Sequence, residues 1–262
     1  MTDLPRLLII GNSHIAGPRL AYVSDPENWP AWDMDFMGLL AGNMARLNLR
    51  DGILVPDSPE IAAEMKFYNL VRELDVTGYD AFVIVGGFGW VSVAAICAEH
   101  RSLDFPSVKG GDVDCQLVSR RFLQEALRRR VRNSVAARLA ARLADLGKPM
   151  LMLPEPMPSA DCVAAPGRFA AYLDLVGRGD ALHWRNCFQD AAHAVLDARA
   201  RLVFWPEEAL EHDVFTRADL MRGALRLSPH SEDPQPETDF AHGNLDYGRL
   251  VLDQIMEALP AV

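Results

Sequence analysis

Three residues define the chemistry this chain could do: a serine near its beginning, and an aspartate and a histidine near its end. Ser13 stands in "RLLIIGNSHIAG", where an apolar run breaks at Gly11 and a helix-like pattern resumes beyond His14. Asp239 and His242 stand three apart in "DFAHGNLDYGRLVLDQIMEAL", at the entrance to a final helix whose Leu252, Ile255, Met256 and Leu259 form an apolar stripe. An imidazole that takes a hydroxyl proton, held by a carboxylate on its other ring nitrogen, turns a serine into a nucleophile. Taken singly, each residue is also an ordinary structural device, since Ser, Asn and Asp cap helices. Their weight comes from the pairing, which requires a fold that brings the two ends of the chain together.

Such a fold is legible in the apolar runs. "RLLIIG" at 6–11, "MDFMG" at 34–38, "AFVIVGG" at 81–87, "PMLMLP" at 149–154 and "RLVFWP" at 201–206 are short and bounded by Gly or Pro. They are continuously apolar instead of alternating, as expected of parallel strands buried on both faces. Between them lie helical patterns: 58–75, which opens on a Ser-Pro cap, and 116–146, where Leu123, Leu127, Val131, Val135, Leu139 and Leu143 recur every four residues. The alternation predicts an α/β fold, a three-layer α/β/α sandwich of flavodoxin-like type with a central five-stranded parallel sheet. In such a sheet the loop after the first strand and the loop before the last helix can share the C-terminal edge, where ligands bind.

One domain over 1–262 is expected, with a helical insertion at about 155–199 made of two helices near 167–177 and 180–199. Tyr172, His183 and Trp184 of that insertion could face a substrate cleft, although packing explains each equally well. Residues 206–238, rich in Pro, Glu and Asp, read as an irregular surface loop.

Composition excludes several function classes. The 262 residues are half apolar, enough for a core without disulfides or metal, and carry a formal charge of −10. That balance argues against nucleic acid or an anionic membrane as partner. The arginines of 116–146 are therefore read as a solvated helix face. No run of ~18 apolar residues suggests a membrane span, and the N-terminus lacks the basic start of a secretory signal. Four scattered cysteines without a C-x-x-C pair suit a reducing, cytoplasmic setting. No histidine pair at helical spacing, dinucleotide fingerprint or P-loop is present, so no metal or cofactor is expected.

The strand-Gly-x-Ser start, five α/β units and D-x-x-H before the last helix resemble the SGNH/GDSL hydrolase superfamily over nearly the whole chain. The resemblance implies Ser13 as nucleophile, with Asn12 where the family more often has Asp, and Asp239 and His242 as the acid and base. The family's second block is a glycine after the second strand whose N–H binds the oxyanion, and "MGLLAGNM" offers Gly42 or, failing that, Gly38. The Ser13 N–H would be a further donor. The third block departs from the pattern: the family's G-x-N-D is replaced by "VGGFGW" at 85–90, without the asparagine. Asn43, or the backbone N–H groups of Gly87 and Gly89, could substitute, though these glycines equally suit a tight turn. His14 could touch substrate or simply pack. Asn244 and Tyr247 continue an H-x-N-x-x-Y-G run that matches short relatives of this type, with Tyr247 expected to pack against the sheet.

The resemblance implies a serine esterase acting on a short acyl group of a carbohydrate or other small polar ester. Transfer of the acyl group to a sugar hydroxyl, and a catalytically weakened glycan-binding or interaction module, are the alternatives left open by the sequence.

Overall fold

The computed structural model describes residues 4–40, 42–111, 114–229 and 233–259. Five strands form the central sheet: β1 (Arg6–Gly11), β2 (Asp33–Gly38), β3 (Ala81–Val85), β4 (Met150–Leu153) and β5 (Arg201–Leu202). All neighbours pair in parallel in the order β5-β4-β3-β1-β2, which is the flavodoxin-like arrangement. Register places Gly11 beside Gly38 on one side and Val85 on the other, so the three C-terminal strand ends finish level. The chain runs from β1 to β2 on one side and then crosses to β3 on the other side of β1, and the crevice at that switch point is where ligands bind in such sheets.

The central strands β1, β3 and β4 bury both faces, while the edge strands β2 and β5 are partly exposed. Leu7, Ile9, Val83, Val85, Leu151 and Leu153 pack under α1 (Ala16–Ser24) and the C-terminal helix, α8 (Leu245–Ala258). Leu8, Ile10, Phe82, Ile84 and Met152 face the opposite layer. That layer holds α2 (Pro59–Asn69), α3 (Val91–Glu99), α4 (Arg120–Arg132), α5 (Val135–Leu143), α6 (Ala170–Gly177) and α7 (Ala181–Leu196). Buried Tyr247 packs in the α1/α8 layer against the sheet.

Several boundaries differ from expectation for identifiable reasons. The long helix predicted over 116–146 is two helices, because Ser134 turns out of α4 and caps α5 with its hydroxyl accepting from the Ala137 N–H. Strand β3 stops at Val85, since Gly86 and Gly87 both take positive φ, at 74° and 72°. The loop expected over 206–238 contains a short antiparallel pair, Leu210–Glu211 with Phe215–Thr216; His230, Ser231 and Glu232 lie outside the described residues. A three-stranded antiparallel sheet of Leu47–Arg50, Ile53–Pro56 and Leu74–Asp75 buries Leu47 and Leu54 in the core of the layer that holds α2 to α7. The two helices between β4 and β5 pack as part of the layer, with Tyr172 and Trp184 in its core.

Candidate active site

Ser13 is placed by the end of β1. Asn12 is extended, and its side-chain Oδ1 accepts the His14 N–H at 3.2 Å, which starts a tight turn over Ser13–Ile15 leading into α1. His242 is placed by α8. Asn244 caps that helix through the N–H groups of Asp246 and Tyr247. Its amide nitrogen donates to the carbonyls of Asp219 and Arg222. The helix start is thereby pinned to the preceding turn.

The two turns meet because α1 and α8 cross at glycines. A β-carbon on Gly248 would lie 2.2 Å from the backbone of Gly17, and one on Gly17 would lie 2.8 Å from the Asn244 carbonyl oxygen. No other residue type permits that approach without a shift of backbone. The contact carries Ser13 and His242, at the N-terminal ends of the two helices, to one point.

There Ser13 Oγ lies 2.8 Å from His242 Nε2, and His242 Nδ1 lies 2.8 Å from Asp239 Oδ2. The second carboxylate oxygen, Oδ1, accepts the backbone N–H groups of Ala241 and His242 at 2.9 and 3.1 Å. Burial pushes the Asp239 carboxyl up, but the His242 ring and these N–H groups outweigh it and hold the group well below the usual carboxylate range. A charged Asp239 requires the proton of neutral His242 to sit on Nδ1, leaving Nε2 to accept from the serine hydroxyl. The side chains of His242 and Asp239 are each 14% exposed, so the array is sheltered yet reachable. His14 stacks on His242, ring centroids 4.5 Å apart, with its Nδ1 buried and unpartnered. Burial, followed by the nearby His242, lowers the His14 pKa well below its ordinary value.

The neighbouring donors sort into two groups. Gly38 is committed to Asn69, donating its N–H at 2.7 Å and accepting the Asn69 amide at 2.9 Å. Asn43 gives its side-chain N–H to Glu64 at 2.6 Å. Gly87 accepts the Ala136 N–H through its carbonyl at 3.1 Å. The Gly38 N–H and the Asn43 side-chain N–H thus have short side-chain partners in this structure. Gly42 is exposed beside Val135, and Gly89 lines the cleft.

Glu155, two residues beyond β4, was not singled out in the sequence, and its importance is visible only in three dimensions. Its Oε1 accepts the Asn12 amide N–H at 3.4 Å. A β-carbon on Gly89 would sit 2.2 Å from its Oε2, so the glycine makes room for the carboxyl. Burial raises the Glu155 pKa, opposed by Asn12, Arg168, His242 and the Gly87 N–H. Phe88, at the position of the missing asparagine, is 2% exposed and turned toward Phe188. A cleft of about 480 Å³ opens beside the Ser13 turn, with Asn12, Gly87, Gly89 and Glu155 along one side. Phe88, Val91, Val135 and Phe188 form its apolar walls.

Among the described residues no group of three or more His, Cys, Asp or Glu side chains could hold a metal ion. No helix among them is long and apolar enough to cross a membrane.

The molecule is thus an open parallel α/β/α protein with a Ser–His–Asp array at the topological switch point. No protein-family model and no curated protein sequence matches the chain. It is similar to a solved structure from Bacteroides fragilis named as an acylhydrolase, at 8% identity and a TM-score of 0.43, covering 98% of this chain and 89% of that one. It is also similar to one from Bacteroides thetaiotaomicron named as a GDSL-like lipase, at 10% identity and a TM-score of 0.39, covering 97% and 89%.

Proposed function

We propose that the protein is a serine ester hydrolase that removes a short acyl group from a carbohydrate or another small polar ester. The observation that carries this reading is the unbroken line from Ser13 Oγ through His242 to Asp239, with 2.8 Å at each step. In it, Ser13 Oγ attacks the ester carbonyl carbon while its proton passes to His242 Nε2. Asp239, held ionised, keeps Nδ1 protonated and stabilises the imidazolium. The developing oxyanion is received by the Ser13 backbone N–H, at the positive end of α1's leading turn, with Gly42 or Gly89 as the second backbone donor. Collapse breaks the acyl–oxygen bond, and the departing alkoxide takes the proton from His242. Water, activated by the same imidazole, then cleaves the acyl-enzyme and regenerates Ser13. The free cysteines fit the same reading in a cytoplasmic setting.

The family's third-block asparagine donor is replaced by an inward-facing phenylalanine, and one missing donor can cost about 10²- to 10³-fold in turnover. Modest catalysis is expected. The test is hydrolysis of 4-nitrophenyl acetate and butyrate by wild type, Ser13→Ala and His242→Ala, with folding checked by circular dichroism. Turnover by the wild type that falls at least ~10³-fold in both folded variants supports the reading. A wild type no faster than Ser13→Ala points instead to a binding module of the same fold. Product analysis with an added acceptor alcohol separates hydrolysis from acyl transfer.

A further inference from the structure

The triad leaves the arginine-rich segment of α4 and α5 without a task. The break between these helices turns Arg130, in the last turn of α4, and Arg138, near the start of α5, onto the cleft beside the Ser13 turn. Asn133 and Ser134, the residues of the break itself, line it between them. Arg130 is steadied by its Nε donating to Ser92 Oγ at 2.8 Å, and Arg138 by one terminal nitrogen donating to the Asn133 carbonyl at 3.2 Å. Each keeps other guanidinium N–H groups for a ligand.

Several arginines of the chain have no carboxylate partner, but among the described residues Arg130 and Arg138 are the ones that line the cleft. Arg46, Arg128, Arg217 and Arg222 each lie within 2.9 Å of an aspartate or glutamate oxygen. Neither Arg130 nor Arg138 has a carboxylate partner among the described residues, in a chain whose formal charge is −10. Among the described residues the acidic residue lining the cleft is Glu155, which accepts a hydrogen bond from Asn12 beside the nucleophile turn. The cleft therefore has apolar walls, Asn12, the residue before Ser13, at one side, and two guanidinium groups without a carboxylate partner at its rim.

We infer that the substrate is an ester carrying a second, anionic group, a carboxylate or a phosphate, which Arg130 and Arg138 hold while the ester carbonyl lies against the Ser13 turn. The inference deepens the hydrolase reading and rests on it. The guanidinium fork suits either anion, and the amide of Asn133 and hydroxyl of Ser134 add neutral donors at the same rim.

The test compares 4-nitrophenyl acetate with the 4-nitrophenyl monoester of succinate, on wild type and on the double variant Arg130→Ala/Arg138→Ala. The ratio of kcat/KM for the succinate monoester to that for acetate is expected to drop about tenfold or more in the double variant. Reversing the charges, Arg130→Glu/Arg138→Glu, should lower that ratio further and raise turnover of the cationic ester acetylthiocholine. Competition by succinate and by inorganic phosphate shows which anion fits better. Ratios unchanged within twofold in both variants overturn the inference. If wild type hydrolyses neither ester faster than Ser13→Ala, the hydrolase reading fails by itself, and the rim is judged by calorimetry with succinate and inorganic phosphate. Binding lost in the double alanine variant then supports the anion site; no binding to wild type, or equal binding to the variant, overturns it.

Discussion

Two carboxyl groups stand at the same sheet edge and are treated in opposite ways. Asp239 gives one oxygen to the His242 ring and the other to two backbone N–H groups, and its pKa falls despite burial. Glu155 accepts a long hydrogen bond from Asn12, and burial prevails, raising its pKa. Burial acts on both; the number and quality of the donors decide the sign. Pairs of acids pushed apart in this way mark different roles in one site. In the proposed mechanism the ionised acid orients the base, while Glu155 lies between Asn12 and Gly89, the latter in the loop that follows β3.

On this contrast, removing charge is expected to be ruinous at Asp239 and mild at Glu155. Asp239→Asn leaves an amide that can hold His242 in the wrong tautomer, and ester turnover is expected to fall about 10⁴-fold, read from kcat with a saturating 4-nitrophenyl ester. Gly248→Ala strikes the helix crossing that sets both turns. Its β-carbon would lie 2.2 Å from Gly17 backbone atoms, so a loss of about 1–3 kcal/mol is expected in urea denaturation, together with reduced turnover as Ser13 and His242 separate.

Glu155→Gln keeps an acceptor for Asn12 and removes the titration. The folded-state pKa of Glu155 is raised, so the wild type loses stability as pH rises from the ordinary carboxylate range through that raised value. Thermal melts should therefore show the Gln variant gaining on the wild type across this window and matching it below about pH 4. A gain independent of pH would contradict the contrast. His14→Phe, the smallest change, preserves a ring against His242. Because the His14 pKa is lowered on folding, its contribution is present above about pH 6.5 and lost as pH falls, and the Phe variant should be relatively more stable at pH 5 than at pH 8.

The sheet was legible in the chain because its central strands β1, β3 and β4 are continuous apolar runs, the mark a strand buried on both faces leaves. Both halves of the Ser–His–Asp array could also be named, since their turns sit beside strong elements: β1 on one side, the apolar stripe of α8 on the other. What brings the halves together was not legible. Gly17 and Gly248 look like any other helical glycines until the crossing of α1 and α8 is known. Glu155 had no signal in the sequence, because its meaning comes from Asn12 and Gly89, residues distant along the chain. The break at Ser134 was masked by a four-residue apolar repeat that continues through it, although the serine itself is a good cap. A different miss was the Asp51–Gly52 turn, both residues at positive φ (50° and 80°), joining Leu47–Arg50 to Ile53–Pro56. Asp-Gly between apolar runs is a strong hairpin signal, and here it lay outside the parallel pattern that dominates the chain. Gly38 and Asn43 were plausible donors by position; Asn69 and Glu64, both from α2, take them up.

The most direct test of the central claim is covalent labelling of the intact protein with a fluorophosphonate, followed by peptide mass spectrometry. An activated Ser13 predicts a single stoichiometric adduct on the peptide containing Gly11–His14, abolished in Ser13→Ala and greatly slowed in His242→Ala. A wild type that remains unlabelled, or one labelled at the same rate when His242 is replaced, would contradict it.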